Sequence, residues 1–429
     1  MIRTVAQSMQ YNSSRGVLRF IVLLSIFLTP IIDIANGIIG ENSIVGSLIR
    51  GIILIENILI VFSFNIKNSS KVCQKESLIC LSCIGYLVFL FCIQAVYHNG
   101  MSISTDLSYI LKVLLYITEV VCLVACIQEG VLDRKDFESF WKYSLWFIPI
   151  SLIFADVTNT AINTAAGNKG YFMSVNALTA VLLVQVILSL YFVFKRKLSI
   201  VALLLNLVTI LLIGTKTPYI FILLALVVLL LFDSKNRKNL LISILVGAVV
   251  LVLLISTIFK EQFNSVFQWQ QYFIGNINED NSILNYLLSG RDELLIAAWQ
   301  SFQGITKIPA ILFGVGPYSL FTSIGSYSEQ GCIRGLEMDV FEIMFSCGIY
   351  IVVVVYRYFV KALRCKSGDR TTELYLNLAI ILIGVYSILG GHVITEAFAG
   401  TYCAILFGYK FSFAKEQQER KLYMVKGRK

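Results

Sequence analysis

Residues 171–238 read YFMSVNALTAVLLVQVILSLYFVFKRKLSIVALLLNLVTILLIGTKTPYIFILLALVVLLLFDSKNRK. Three apolar runs follow one another, near 173–194, 198–214 and 218–232. Only the basic triplet 195–197 and the tripeptide 215–217 separate them. A helix crosses the hydrocarbon core in about 20 apolar residues. Backbone groups there have no water to bond, so runs like these read as membrane-spanning helices.

Working outward, nine further runs fit the same length, near 17–39, 44–64, 78–97, 107–128, 141–157, 239–259, 339–359, 374–392 and 397–413. The composition agrees. Hydrophobic residues make up 57% and charged residues 14% of the 429, and mean hydropathy is +0.78. Side chains of that kind cannot cover a soluble surface. The fold class is an all-α polytopic membrane protein with about twelve spans, one integral membrane domain over residues 1–429. The stretch GVLRFIVLLSIFLTPIIDIANG (16–37) is too long for the apolar core of a cleavable leader and reads as the first span. Cys80, Cys83, Cys92, Cys122, Cys126, Cys347 and Cys403 all lie in apolar runs, so they read as buried thiols. Cys332 falls in a polar segment.

The basic residues orient the spans. With the N-terminus inside, 27 of the 35 Lys and Arg fall in inner segments and Arg50 and Lys112 are embedded. Six fall outside: Lys169, Lys216, Lys260, Arg291, Lys307 and Arg334. Both termini are then cytoplasmic. The net charge of +9 is mostly a topology device and not a sign of nucleic-acid binding.

Residues 260–338 form one large extracytoplasmic loop between the ninth and tenth spans. Long loops in compact proteins usually carry function. Within it GRDELLIAAWQSF (290–302) has the spacing of an amphipathic helix, with Asp292 and Glu293 in the first turn where the macrodipole favours them. Trp299 is expected at headgroup level. A glycine- and proline-rich turn, FGVGPYS (313–319), follows.

Cations outside run against the positive-inside bias. Lys169, Lys216, Arg291 and Arg334 are therefore candidates for holding a phosphate or pyrophosphate. Lys260 and Lys307 are expected to snorkel to lipid headgroups. Glu337, Asp339 and Glu342 lie at the mouth of the tenth span. A carboxylate there suits a general base, and Asp339 also suits an N-cap. Glu337 and Asp339, two apart, would diverge by about 200° on a regular helix. His98 and His392 both fall outside, and a neutral imidazole can take a hydroxyl proton. Lys112 and Glu119 share a helix face and are expected to pair along it or with neighbouring helices. Arg50 and Glu56 do not share a face and need other partners. No metal, cofactor or nucleotide motif is present.

Four segments, in this order, resemble the O-antigen polymerase and ligase family: GYFMSVNALTAVLLV (170–184), GTKTPYIFILLALVVLLL (214–231), SGRDELLIAAWQSFQGITKIPAILFGVGPYS (289–319) and EMDVFEIMFSCGIYIVVVV (337–355). The resemblance implies a membrane-embedded GT-C-like glycosyltransferase bundle in the bacterial cytoplasmic membrane. It implies an undecaprenyl-diphosphate-linked oligosaccharide as donor, held by Lys169, Lys216 and Arg291. Two of these are lysine where the family usually has arginine. Family ligases carry a histidine where Glu337 stands, which favours a Wzy-type polymerase over a ligase, with Glu337 or Asp339 as base. Membrane lipids, a separate flippase and a chain-length regulator are the implied partners. The alternative of another class is a flippase or exporter of lipid-linked glycan.

Overall fold

The computed structural model describes residues 2–40, 44–66, 69–97, 102–164, 167–257, 290–302, 307–327 and 335–426. His98, Lys260, Cys332 and Arg334 lie outside them. The described residues are helical, with one isolated β-bridge between Asn163 and Asn168. The helices are α1 (Ile2–Ile39), α2 (Ile44–Ile66), α3 (Lys71–Tyr97), α4 (Ile103–Gln128), α5 (Arg134–Val157), α6 (Val175–Phe194), α7 (Ile200–Ile213), α8 (Lys216–Phe232) and α9 (Arg237–Thr257). They continue with α10 (Arg291–Ser301), α11 (Lys307–Phe313), α12 (Pro317–Tyr327), α13 (Asp339–Cys347), α14 (Ile349–Arg364), α15 (Arg370–Leu389) and α16 (Ala397–Lys426).

Seven described helices, α1 to α6 and α15, are long and apolar enough to cross a membrane, so the chain is a multi-pass helical membrane protein. The other predicted spans are also helical, but of different shape. Helices α7 and α8 are short, at 14 and 17 residues. The predicted span 339–359 is interrupted: α13 ends at Gly348, whose φ is +85°, and α14 starts beside it. The run at 397–413 is the first half of the 30-residue α16.

Helices begin and end where local chemistry dictates. Ser174, Ser199 and Asp369 accept backbone N–H groups at the starts of α6, α7 and α15. Asp133 and Asp136 form a reciprocal capping box on α5. Helices α4 and α6 are buried on nearly all sides, as their all-round apolar sequence requires. Helices α2, α3 and α16 surround α4, and α7, α8 and α15 pack on α6.

One end of the bundle gathers the basic residues. Glu76, 2% exposed, accepts from Arg357 at 2.7 Å, Lys361 at 2.9 Å and the Tyr358 hydroxyl at 3.0 Å. Arg134 pairs with Glu416 at 2.7 Å, Lys197 with Glu138 at 2.8 Å and Arg19 with Asp136. Lys195 binds Asp369. Burial acts to raise the Asp369 carboxyl, but hydrogen bonds from Lys195 and Thr372 bring it down to about 2. The sequence reading treats these cations as topology markers, yet many of them also tie helices together.

At the opposite end, α10, α11 and α12 build a small second core around Leu294, Ala298, Phe302, Leu320 and Phe345. The Phe-Gly-x-Gly turn docks this cap on the α13–α14 break. Val315 and Gly316 donate to the carbonyls of Phe345 and Ser346 at 2.7 and 3.1 Å. A Cβ on Gly314 would lie 2.4 Å from the Ser346 carbonyl oxygen, so only glycine allows this approach. Asp106 of α4 accepts from Tyr318 N at 2.7 Å and caps α12 from outside its own sequence.

Candidate functional site

Four candidates converge where the cap meets the bundle. Arg291 opens α10 on the face that carries Leu294 and Ala298, so it points inward and is only 8% exposed. Its Nη2 lies 3.1 Å from Glu337 Oε2. This inward placement excludes snorkelling for Arg291. Lys216 is the first residue of α8, half-buried, after Gly214 ends α7 in a left-handed conformation. Arg291 is within electrostatic reach of Lys216. Both cations therefore sit at helix N-termini, where the backbone already presents partial positive charge.

Glu337 and His392 face each other across a tight backbone contact. Each is half-buried and each has φ of +58°, an unusual value for residues with a Cβ. A Cβ on Gly391 would lie 2.0 Å from the Glu337 carbonyl oxygen. Glu337 N donates to Glu342 Oε2 at 3.0 Å, which fixes the strained residue. Such strain clusters at functional sites.

Asp339 holds this arrangement. It is 1% exposed and its carboxylate has five donors. Oδ1 accepts from His392 N and Thr395 Oγ1, and Oδ2 from Ser387 Oγ, Val393 N and Ile394 N, all at 2.8–2.9 Å. With both oxygens so engaged, Asp339 is placed to clamp the turn after α15. It does not serve as the N-cap of α13, a position held by Met338. Glu337 precedes the helix, so the predicted divergence from Asp339 along a regular helix does not apply. His392 lies beyond the end of α15 at Leu389, in the turn and not in the span.

The embedded charges find partners on neighbouring elements. Lys112 binds Glu396 at 3.0 Å and not Glu119. Burial opposes charge on Glu396, but Lys112 and His392 beside it hold its carboxyl below the ordinary value. Arg50 pairs with Asp33 at 2.7 Å, and Glu56 accepts from Ser25 at 2.8 Å, so the expectation of other partners is met. Lys169 folds back on its own loop, Nζ donating to the Met173 carbonyl at 2.7 Å. Met173 N in turn donates to Asp33 at 3.2 Å. Lys169 therefore belongs to the Asp33–Arg50 side of this end.

Sequence reasoning missed the clamp, the Lys112–Glu396 pair and the Asp106 cap. The dipeptide Gly390-Gly391 is the signal for the turn, since paired glycines break apolar helices. Among the described residues no group of His, Cys, Asp and Glu is arranged to hold a metal ion. No protein-family model and no curated protein matches this chain.

Proposed function

We propose that this protein is a Wzy-type polysaccharide polymerase, a GT-C-like enzyme of twelve spans in the bacterial cytoplasmic membrane with both termini in the cytoplasm. It transfers a growing glycan from its undecaprenyl diphosphate to a sugar hydroxyl of another lipid-linked repeat at the outer face. The observation that carries this reading is the meeting of Lys216 and Arg291 with the strained, half-exposed Glu337 and His392 at one end of the bundle.

The geometry supports a sequence of events. A diphosphate arriving at two helix N-termini and two cations gains charge-assisted hydrogen bonds. It competes with Glu337 for Arg291, and the freed Glu337 carboxylate can take a proton. The acceptor oxygen then forms its bond to the anomeric carbon, the bond to the diphosphate breaks, and the hydroxyl proton passes to Glu337. The cations stabilise negative charge that grows on the departing diphosphate. His392 is the second candidate base. Asp339 positions both.

The test uses the purified protein with a lipid-linked repeat unit as sole substrate. Lys216→Ala and Arg291→Ala are expected to stop chain growth while single repeats remain intact. In cells the same variants should leave single repeats at the outer leaflet. Repeats held at the inner leaflet would support the exporter class instead. Normal-length polymer from either variant would remove that residue from the site.

A further inference from the structure

Below Lys216 the bundle surface opens into a cleft of about 280 Å³ between α6, α7, α8 and α9. Leu203, Ile210, Tyr219, Ile222, Leu226 and Ile244 line it, and the remaining lining is aliphatic except for Ser243. Ile210 and Ile222 are buried at its floor, whereas Leu223 at the rim is 64% exposed, so the cleft opens sideways. The Tyr219 hydroxyl donates to the Ile210 carbonyl at 3.4 Å, which turns its polar atom away from any apolar guest. Tyr219 to Leu226 spans seven residue steps of α8, about 10 Å of helix rise. The upper end of the cleft, at Tyr219, is one helical turn from Lys216.

We infer that this cleft holds the first isoprene units of the polyprenyl tail of a lipid diphosphate whose head rests at Lys216 and Arg291. The inference rests on the reading of the protein as an enzyme acting on such a lipid. Two features select this occupant. The cleft begins one helical turn from Lys216, an arrangement that matches one molecule with a strongly anionic head and a long apolar tail. It is also laterally open, so the tail enters from the bilayer without crossing water. Leaving lipid for an apolar cleft gains little hydrophobic energy. The cleft therefore acts by shape and orientation: methyl branches fill its irregular wall, and the tail direction delivers the diphosphate to the cations.

The probe is a polyprenyl diphosphate with a diazirine near the head end of the tail, bound to the full chain in nanodiscs of phosphatidylethanolamine and phosphatidylglycerol. Irradiation and peptide mapping should place the label on 186–190, 203–226 and 243–248, with undecaprenyl diphosphate competing and excess phosphatidylglycerol not. Leu226→Trp should lower labelling about tenfold, the size of an overpacked contact. Leu231→Trp, on the exposed outer face of α8, should leave it unchanged. Gel filtration checks that each variant is folded. Label on other helices, or equal competition by phosphatidylglycerol, overturns the inference. Binding is read without turnover. Labelling of the cleft by a protein that makes no polymer would sink the polymerase reading alone, and polymerisation with the label elsewhere would sink the tail site alone.

Discussion

Asp339 separates a positioning role from a chemical one. Its carboxylate receives three backbone amides, those of His392, Val393 and Ile394, and the hydroxyls of Ser387 and Thr395. The hydroxyls can rotate to other acceptors, but the amides cannot. A buried donor left without an acceptor costs about 1–3 kcal/mol. Asp339→Ala strands three amides, and with a water entering the space left behind the loss is roughly 4 kcal/mol. Asp339→Asn keeps its carbonyl for Val393 and Ile394 and strands the His392 amide, at about 2 kcal/mol. The assay is heating of the purified protein in detergent, with the surviving folded fraction read by gel filtration. Polymerisation is then measured per folded molecule. The alanine variant should melt well below the asparagine variant, and asparagine below the native protein. Partial activity should survive in folded Asp339→Asn. Variants that melt with the native protein yet make no polymer would show that Asp339 acts on substrate, and the clamp reasoning would be wrong.

Glu76→Gln removes the one acid shared by Arg357 and Lys361; breaking a fully buried pair costs about 3–5 kcal/mol, and the partial exposure of both cations brings this to about 2 kcal/mol, read by the same melting assay. His392→Gly relaxes a left-handed backbone worth about 1 kcal/mol; it should hold or raise the melting temperature while shortening the polymer, and a fall in both would mean the ring is structural. The Asp369 carboxyl is held down to about 2 against an ordinary 3.8, so its contribution is complete above the unfolded value and lost as pH falls from about 4 towards 2. Replacing it by Asn should lower stability modestly at neutrality, since the pair is half-exposed, and the two stability profiles should converge as pH falls from about 4 towards 2.

The spans were legible because each needs only a run of apolar residues, and the described part of each predicted run is mainly helical. The break at Gly348 was not, because it depends on the cap: Val315 and Gly316 take the carbonyls that a continuous helix would use. Arg291 and Lys216 could be singled out because an outer cation defies a charge rule. Their proximity could not, since it depends on how the cap that carries α10 seats on the bundle. Lys169 passed the same charge test, yet its ammonium is taken up by its own loop. Local charge identifies candidates, and only the fold decides which of them meet. Of the two arrangements expected for Lys112, along its own helix or to a neighbouring element, the fold selects the second. Its partner is Glu396, which the clamped turn before α16 brings to it.

The two ends of the bundle use the same residue types in opposite ways. At the basic end, cations meet carboxylates from other helices, as with Glu76 and Glu138, and the charge is spent on packing. At the other end Lys216 and Arg291 each occupy the first position of a helix, where a cation is disfavoured by about 0.3–1 kcal/mol and an anion is favoured by as much. Asp292 and Glu293 offset part of this for α10, and Glu337 reaches Arg291 from across the cap. No acid lies in the first turn of α8. On the proposed function, an anion with more than one charge placed between the two helix starts would find both cations and both helix dipoles favourable. On that reading Glu337, which lies 3.1 Å from Arg291, half-buried and on a left-handed backbone, is the intramolecular stand-in for that anion.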